Sequence, residues 1–597
     1  MSHTFHIPVL GLGFSIDTPL KVARYGISSV VSIVDDELIE RMRQYHLEQN
    51  DELFDPINKT DTDYRAKRIT AYLNLLHKLV NNQFNRLKSL KFLSFSDISR
   101  YFELMPEHSA DKRLYLQMLA EEDEVKRNQI QGKLRTSLKK GQIDVNIMSK
   151  LDKMNHTQKG ELMDEKFSDA LAALRGFANS DLSSSLVLSA GMNPRLYGYL
   201  EEFEDFFPSK DALPNKKVIL KVSDFRSAFI QAKFLAKKGI WVSEFRIESG
   251  LNCGGHAFAT EGYLLGPILQ EFKERRTEMV SELEEMYKNA LHSKGITSFL
   301  QSSTRVTVQG GIGTSEENEF LEQYYNLDGT GWGSPFLLVP EATNVDDETL
   351  EQLTNATSDD FAISGSSPLG IPFNIFKKCS SEQQRLERIA KGRPGSPCTK
   401  KFLVSNTEFT EKPICTASRE FQNLKIKQLK ESEVSAEEYQ LKFDQITEKV
   451  CLCQGLVASV YLKNNIVKPK ENKAVAICPG PNTAYFSAIY SLEEMVNHIY
   501  GKLDLLAKSN RPHIFINELK LYVDYLKKDI ETNLKTLTDK KVKQLDKFKE
   551  QLLIGIDYYT QLIPELQKYS VSFNYNFKND LDKFQSLIKQ IAFKPVI

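Results

Sequence analysis

The sequence lacks several features that would assign it to whole classes of protein. It contains no uninterrupted apolar run near the roughly 18–20 residues that a membrane-spanning helix needs. It has almost no net charge, with 78 Lys and Arg against 79 Asp and Glu, so bulk charge gives no evidence for nucleic acid as a partner. Its first residues lack the basic segment and cleavage site of a secretory signal. We therefore expect a cytoplasmic protein.

Cysteine is scarce and odd in number, with seven residues in a chain of 597. An odd count in a long chain is untypical of a secreted disulfide framework. Six of the seven lie between Cys379 and Cys478. Thiols gathered in this way in a reduced compartment indicate metal or redox use. The alternative is that they are buried free thiols, which are common in cytosolic cores.

The remaining composition is that of a soluble protein with several folded units. Hydrophobic residues make up 41% and charged residues 26% of the chain, which is ordinary for a globular protein. A length of 597 residues predicts more than one folded unit. Residues 1–36 read as a short apolar strand, a helix that begins at Thr18-Pro19 and ends at Gly26, and a second buried strand. This is a βαβ unit, so its strands should be parallel.

The rest of the chain interrupts and then resumes this alternation. Residues 37–143 are long, charged and helical, and we interpret them as an insertion that is either a lid or partner surface or a solvated decoration. Residues 144–375 return to strand-then-helix passes, seven or eight in all, which predicts an α/β fold with a closed (β/α)8 TIM barrel. Residues 376–490 contain cysteine and are irregular. Residues 491–597 form a helical C-terminal extension whose apolar face suits docking on the core or on a second subunit.

Two glycine-rich turns follow consecutive strands near the end of the predicted barrel. They are QGGIGTSEENEF at 309–320 and LDGTGWGSPF at 327–336. In a barrel, phosphates favour the loops after the last two strands, where glycine lets main-chain N–H groups converge on an anion. The competing interpretation is a plain helix cap at Thr314, since Glu316 and Glu317 would repel a phosphate that they faced.

A third glycine pair ends an earlier strand in ESGLNCGGHAFAT, residues 248–260. Gly254 and Gly255 allow close approach to a flat ligand. His256 would then project into the barrel mouth, where a histidine serves as general acid or base near neutral pH. A lone histidine is often structural instead, but its place at a strand end beside two glycines favours the functional interpretation.

These segments together resemble a known family. ESGLNCGGHAF, VTVQGGIGTSEE, LDGTGWGSPFLLVPEA and KGRPGSPCTKKFL occur in the order of the nitronate monooxygenase family, formerly called 2-nitropropane dioxygenases. Flavin-dependent enoyl-ACP reductases and the enoyl reductases of polyunsaturated-fatty-acid synthases share that fold. The resemblance covers residues 5–36 and about 180–405, and it implies an FMN-binding TIM barrel.

The resemblance also implies roles for particular residues. Four would hold the FMN phosphate through main-chain amides: Gly310, Gly311, Gly333 and Ser334. Three more would lie beside the flavin ring: Gly11, Gly13 and Lys221. His256 matches the family's active-site histidine, which takes a proton from the substrate.

The chain departs from the family in two places. Asn252-Cys253 precede the glycine pair where the family has Glu-Ala, and Pro335 follows Ser334 where an arginine is usual. Nitronate oxidation is therefore not assumed.

Four cysteines form the best candidate metal site: Cys398, Cys415, Cys451 and Cys453. Thiolates in this number suit an iron–sulfur cluster or zinc. Their spacing matches no ferredoxin or zinc-ribbon pattern, and free thiols remain the alternative. An iron–sulfur cluster near FMN would make sense as an electron relay.

We therefore predict an FMN-dependent oxidoreductase that acts on a small or acyl-chain substrate, with NAD(P)H as a candidate electron donor. One alternative is an enoyl reductase acting in trans for a lipid or polyketide pathway, whose extra helices dock a carrier protein. The other is a non-catalytic binding or assembly protein that uses the helical insertion and the C-terminal helices for protein partners or self-association. FMN binding separates the enzyme from this last alternative.

Overall fold

The computed structural model of the chain describes nine stretches of residues: 3–148, 152–157, 159–189, 191–209, 213–255, 262–297, 303–533, 538–569 and 576–592. His256, the predicted catalytic residue, lies outside them. All seven cysteines lie within them.

Eight parallel strands close into a barrel in which each strand pairs with the next along the chain and the eighth pairs with the first. This confirms the predicted (β/α)8 barrel. Phe5 pairs with Thr330 where the barrel closes. The strands are β1 Phe5–Ile7, β2 Ser28–Ser32, β3 Ile143–Ile147, β4 Ser185–Leu188, β5 Lys217–Val222, β6 Val242–Glu248, β7 Arg305–Gln309 and β8 Thr330–Gly331.

The barrel strands are buried on both faces, because helices cover the outside and side chains fill the inside. β2 and β3 are buried at every position. A separate apolar layer of Val9, Val30, Val187 and Ile219 is distinct from the main core. A two-stranded antiparallel sheet of β9, Phe361–Ser364, and β10, Phe373–Phe376, follows the barrel.

The helices before β9 are α1 Thr18–Val22, α2 Asp36–Glu48, α3 Tyr64–Ser89, α4 Asp97–Glu103, α5 Ala110–Ala120, α6 Glu124–Ser137, α7 Asp169–Ala178, α8 Pro194–Tyr199, α9 Phe225–Ala236, α10 Leu265–Ser293, α11 Ser315–Tyr324 and α12 Asp347–Thr354. Those after β10 are α13 Ser380–Ala390, α14 Arg419–Lys430, α15 Ala436–Thr447, α16 Leu452–Lys463, α17 Leu492–Ile499, α18 Ile514–Asn533, α19 Asp539–Tyr569 and α20 Asn576–Gln590. Across the described stretches, none has the length and apolar character required to cross a bilayer.

Five helices, α2 to α6, lie between β2 and β3, where a helical insertion was predicted. They are tied to the barrel, since α3 packs against α7 and α2 packs against α3. Asp36 accepts from Arg65 at 2.7 Å and from Arg68 at 2.9 Å, and all three side chains are buried. A buried carboxylate shared by two guanidinium groups fixes α2 against α3.

The C-terminal helices dock on the barrel of the same chain, which is the first of the two alternatives that their apolar face allowed. α19 packs against α10 and α11. The rings of Phe515 and Tyr559 stack with centroids 4.5 Å apart. The hydroxyls of Tyr325 and Tyr558 lie 3.0 Å apart, which joins α19 to the end of α11.

Candidate functional site

A cavity opens at the carboxyl ends of the barrel strands, where (β/α)8 proteins bind their ligands. Its wall is mainly apolar, with a few polar groups at the strand ends. The apolar part comes from the ends of barrel strands, from two segments beyond the barrel and from α16: Val9, Leu12, Val34, Met148, Leu369, Ile371, Phe373, Phe402, Leu403, Leu452 and Leu456. The polar and small lining residues are Gly11, Ser32, Asn146, Ser189, Lys221, Glu248, Asn252, Gly254, Gly255 and Cys453.

Four of the residues predicted to contact a cofactor line this cavity: Gly11, Lys221, Gly254 and Gly255. Gly13 does not line the cavity. A Cβ at Gly13 would lie 2.5 Å from Val460 Cγ2, so the lack of a side chain there lets α16 pack closely. His256 follows Gly255 directly in the sequence and lies outside the described residues.

The glycine pair of the third turn has a backbone that other residues rarely adopt. Gly254 has φ +109° and Gly255 has φ +124°. A Cβ on Gly254 would lie 2.7 Å from the carbonyl oxygen of Val9, and one on Gly255 would lie 3.2 Å from the Phe373 ring. Gly254 therefore requires glycine for space as well as for conformation, and Gly255 requires it for conformation.

An ion pair crosses three adjacent strand ends on the cavity wall. Lys221 Nζ lies 3.2 Å from Glu248 Oε1, and both side chains are largely buried. Gln309 Nε2 donates to the same oxygen at 2.8 Å, and Asn252 Nδ2 also donates to it. The pairing of β5 with β6 and of β6 with β7 brings these side chains together. Glu248 thus fixes the amine and two amides at one end of the cavity.

One polar atom of the wall has no partner in the described part of the chain. Asn146 is 8% exposed, and its Oδ1 accepts no hydrogen bond there. An unpaired buried acceptor is costly, so native proteins usually satisfy it. Because Asn146 lines the cavity, its Oδ1 suits a ligand that brings an N–H or O–H donor.

The two glycine turns after β7 and β8 lie side by side, because Val308 pairs with Thr330 and Gln309 with Gly331. Within the described stretches, the main-chain N–H groups of five buried residues in these turns donate to no acceptor: Gly310, Gly311, Ile312, Gly333 and Ser334. Buried N–H groups without a partner are rare. Neighbouring N–H groups of this kind at the ends of parallel strands suit an anion.

The two glycine turns adjoin the cavity through the turn that follows β6. A Cβ on Gly310 would lie 2.9 Å from Asn252 Cα, and one on Gly333 would lie 3.1 Å from Cys253 Cβ. Asn252 itself lines the cavity. The unpaired amides and the apolar cavity therefore adjoin across a single turn of chain.

Glu316 and Glu317 were expected to repel a phosphate that they faced, but the two carboxylates do not both face the glycine turns as free charges. Glu317 turns inward, where its Oε2 accepts the Gly313 N–H at 2.9 Å and its Oε1 accepts from Arg511 Nη1 at 2.7 Å. Burial alone would raise the pKa of Glu317, but the Arg511 guanidinium outweighs it and holds that pKa below its usual range. Glu316 stays exposed. Thr314 caps α11 by accepting from Glu317 N, as predicted.

A segment beyond the barrel, residues 476–486, crosses the glycine turns and was not foreseen. Gly480 N donates to Ser334 Oγ at 3.0 Å, and Asn482 Nδ2 donates to Ile312 O at 2.9 Å. Arg511 extends this contact by donating to Gly311 O at 2.6 Å. The Pro-Gly-Pro run at 479–481 was the available signal, since it predicts a stiff turn that can approach another backbone closely.

A buried carboxyl group supports the turn that carries the glycine pair. Glu518 accepts from Leu265 N at 2.7 Å and from Gly250 N at 3.0 Å. Burial raises the pKa of Glu518 to about 7, although these amides and Ser249 lower it. The group therefore changes charge near neutral pH.

We expect Glu518 to give the protein a stability that falls as the pH rises. Its folded-state pKa of about 7 lies above the usual 4.5, so the folded protein holds this proton more tightly than the unfolded chain does. The contribution is complete below the unfolded-state value and is lost as the pH passes 7. Denaturant unfolding from pH 5 to pH 8 should show a loss of up to about 3 kcal/mol relative to Glu518→Gln. Equal slopes for the two proteins would contradict this.

The four cysteines predicted as a metal site lie on neighbouring segments at the edge of the cavity. Cys453 belongs to the cavity wall. The segments of Cys398 and Cys415 lie side by side, because Ser396 N donates to Ala417 O at 2.9 Å and Arg419 N donates to Ser396 O at 2.8 Å. Among the described residues, no three or more Cys, His, Asp or Glu side chains are placed so that they could hold a metal ion.

The chain matches no protein-family model and no curated protein. Solved structures are similar to it, among them an enoyl reductase domain, a FabK and a nitroalkane oxidase. The enoyl reductase domain of MlnA from the macrolactin biosynthesis cluster of Bacillus amyloliquefaciens is 16% identical, with a TM-score of 0.34, over 69% of this chain and 88% of that one. FabK from Thermotoga maritima is 12% identical, with a TM-score of 0.31, over 64% and 80%. Nitroalkane oxidase from Streptomyces ansochromogenes is 8% identical, with a TM-score of 0.36, over 84% and 95%. Values this low carry no conclusion about ligand or reaction.

Proposed function

We propose that the protein is an FMN-dependent oxidoreductase. The observation that carries the proposal is the set of five unpaired amides after β7 and β8, which adjoins an apolar cavity at the barrel mouth. A phosphate matches the amides, because its several oxygens can accept from a set of neighbouring main-chain N–H groups. A flat ring system matches the apolar cavity, where two glycines permit close approach.

The residues of the chain can hold both parts of FMN. The phosphate would accept from the amides of the two glycine turns, whose nearest carboxylate, Glu317, is neutralised by Arg511. The ring would lie against Gly11 and the Gly254-Gly255 pair. Asn146 Oδ1 and the Lys221 amine offer an acceptor and a donor to its polar edge. When bound, FMN supplies hydride and single-electron chemistry that amino-acid side chains lack.

In this proposal His256 is the general acid or base that transfers the proton of the substrate. It follows Gly255, which lines the cavity, directly in the sequence. A neutral imidazole can take a proton from the substrate, as a general base near neutral pH does. The ion pair of Lys221 with Glu248 lines the same cavity, so the position of the amine is set before substrate enters.

We propose an acyl-chain substrate and NAD(P)H as the electron donor. The observation that favours an acyl chain is the apolar outer wall formed by Leu369, Ile371 and Phe373. Apolar side chains offer an alkyl chain burial without offering a small polar nitronate any partner. This supports an enoyl reductase over a nitronate oxidase.

Purified full-length protein tests the proposal directly. We expect a yellow protein with FMN bound, which oxidises NAD(P)H faster when an enoyl thioester is added than when a nitronate is added. A preference for the nitronate would support the proposal of a flavoenzyme and contradict the proposal of an acyl-chain substrate. A protein that takes up no FMN would leave the binding or assembly alternative.

We expect Gly254→Ala to bind FMN more weakly than the unaltered protein. The new Cβ would lie 2.7 Å from Val9 O in the cavity wall, and alanine at φ +109° is strained by about 1–2 kcal/mol. The affinity for FMN should fall at least about tenfold, since each 1.4 kcal/mol is a factor of ten. Fluorescence titration of the stripped protein measures it.

The matched control is Gly295→Ala. Gly295 also has a positive φ, +79°, but a Cβ there meets no atom within 4 Å. It should share the backbone strain and bind FMN as the unaltered protein does. Equal FMN affinity in the two variants would show that Gly254 does not border the ring.

A further inference from the structure

The loop between α3 and α4 presents two large apolar side chains to solvent. Phe95 is fully exposed, and Leu93 is 62% exposed. Phe92 instead packs inward, where the centre of its ring lies 6.0 Å from that of Phe102 and 6.4 Å from that of Tyr115. The loop is therefore anchored by one aromatic ring while it exposes another.

The backbone at Phe95 is unfavourable as well. Ser96 N donates to Leu93 O at 3.1 Å, which closes a turn over residues 93–96. Phe95 is the third residue of this turn and has φ +64°. A turn with a positive φ at its third residue usually has glycine or asparagine there, and a bulky residue is strained. A strained backbone that holds an apolar side chain in water is typical of a binding surface.

The end of α6 holds this loop in place. Arg135 donates through Nη2 to Leu90 O at 2.6 Å and through Nη1 to Lys88 O. The carbon of its guanidinium group lies 5.0 Å from the centre of the Phe92 ring. Because these contacts fix both the main chain and the inner ring of the loop, the exposure of Phe95 is a property of the fold.

Positive charge surrounds the exposed side chains. Residues 86–96 and 133–140 lie side by side through the contacts of Arg135, and we call them together the basic loop surface. They contain seven basic residues and no acidic one. The basic residues are Arg86, Lys88, Lys91, Lys133, Arg135, Lys139 and Lys140. The basic loop surface is therefore strongly cationic in a chain that is nearly neutral as a whole.

The nearest acidic residues do not cancel this charge. Residues 121–124 are all acidic, but they lie at the start of α6, about 20 Å along the helix axis from its end at Ser137. This exceeds two Debye lengths of about 8 Å at physiological salt. Asp97 follows the loop directly and is engaged within the fold, since it accepts from Tyr25 Oη at 2.5 Å and lies 3.7 Å from Arg24 Nε.

The basic loop surface lies at the end of the barrel that faces away from the cavity. Lys140 comes shortly before β3, which begins at Ile143, and Gly141 N donates to Ala23 O at 2.8 Å, just ahead of β2. These are the amino ends of the strands, whereas the cavity opens at their carboxyl ends. Substitutions on the basic loop surface should therefore leave the cavity unchanged, and the inference does not depend on the proposed cofactor.

We propose that the basic loop surface docks on an anionic lipid membrane. The headgroups would balance its seven basic residues, and Phe95 and Leu93 would enter the boundary between headgroups and acyl chains. A bilayer accepts a convex apolar tip without a matching pocket. A protein partner fits less well, because two apolar side chains on a tip fall far short of the about 800 Å² that each partner buries in a stable interface.

The test is co-sedimentation of the full chain with lipid vesicles. We expect it to bind vesicles of equal parts phosphatidylserine and phosphatidylcholine at least about tenfold more tightly than vesicles of phosphatidylcholine alone, and to be released by high salt. Phe95→Gly should weaken the binding about tenfold or more. Its Tm should not fall, because glycine adopts a positive φ without strain. Lys88→Glu combined with Lys91→Glu should remove most of the salt dependence.

The matched controls lie at the acidic start of α6. Val125 and Lys126 are exposed, so Val125→Ser and Lys126→Glu change the same two properties away from the basic loop surface, and both variants should bind as the unaltered protein does. Phe95→Trp reports insertion, since Trp241 and Trp332 are buried. Its fluorescence should shift to the blue when anionic vesicles are added.

Four results would overturn the proposal. The first is no binding to anionic vesicles, and the second is equal binding to neutral ones. The third is a loss in Val125→Ser as large as in Phe95→Gly. The fourth is a dimer without vesicle binding that Phe95→Gly dissociates, which would make the basic loop surface a contact between two copies. Polyglutamate that binds as tightly as the vesicles, with no blue shift in Phe95→Trp, would likewise replace the membrane with an acidic protein.

Discussion

Arg511→Met is expected to destabilise the protein strongly and to weaken FMN binding. Arg511 and Glu317 are each only 4% exposed at the side chain, and their ion pair is 2.7 Å long. Removing one partner leaves a buried charge, which costs about 3–5 kcal/mol. The same arginine donates to Gly311 O and to Asn482 Oδ1, so the turn and the segment that covers it should loosen together. Denaturant unfolding and FMN titration measure the two effects.

A second substitution separates the charge from the packing. Glu317→Gln in the same chain removes the uncompensated carboxylate, so the double variant should recover part of the lost stability and of the FMN affinity. Arg275→Met is the control, since its partner Glu271 is exposed and such pairs are worth about 0–1 kcal/mol. A loss in Arg511→Met no larger than in Arg275→Met would show that the buried pair does not support the turn.

His256→Ala is expected to keep FMN and to slow turnover by about 10²–10⁴-fold. The imidazole is assigned to the proton of the substrate, whereas the amides of the glycine turns are assigned to the cofactor. Loss of the imidazole should therefore lower kcat and leave the FMN affinity unchanged. The measurement is steady-state turnover with NAD(P)H and an enoyl thioester, alongside FMN content.

The control for this variant is His108→Ala. His108 is exposed, lies in the segment between β2 and β3, and is not part of the cavity wall. It should turn over at the rate of the unaltered protein. Full activity in His256→Ala would move the proton chemistry to another group, and loss of FMN would instead give His256 a binding role.

The barrel could be predicted from sequence because its signal is local. Each apolar strand, such as the one containing Val30 and Val31, is followed within the same unit by a helix with its own start and stop residues. β8 contains only Thr330 and Gly331, yet the glycine turn after it marked its place. Eight such units leave few arrangements other than a closed parallel barrel.

The contacts that residues 476–486 and Arg511 make across the glycine turns could not be predicted, because they join residues that are distant in the sequence. Arg511 meets Glu317 across 194 positions, and Gly480 meets Ser334 across 146. No local periodicity records such a pair. The objection that Glu317 would repel a phosphate was sound from sequence, since nothing near it in the chain supplies the neutralising arginine.

The arrangement of the cysteines could be predicted from the sequence only in part. Their number and their concentration in one region suggested a shared site, and the fold lays the segments of Cys398 and Cys415 side by side. The approach of Cys451 and Cys453 depends on the placement of α16 against the cavity, which sequence spacing does not specify. The same placement makes Cys453 part of the cavity wall.

Titration of the stripped protein with FMN and with riboflavin tests the central claim most directly. Riboflavin has the same ring but no phosphate, so it cannot use the unpaired amides of Gly310, Gly311, Ile312, Gly333 and Ser334. We expect FMN to bind at least about 100-fold more tightly, because charge-assisted hydrogen bonds to a buried phosphate are worth several kcal/mol. Equal affinity for the two would contradict the phosphate site, and no binding of either would contradict the flavin cavity.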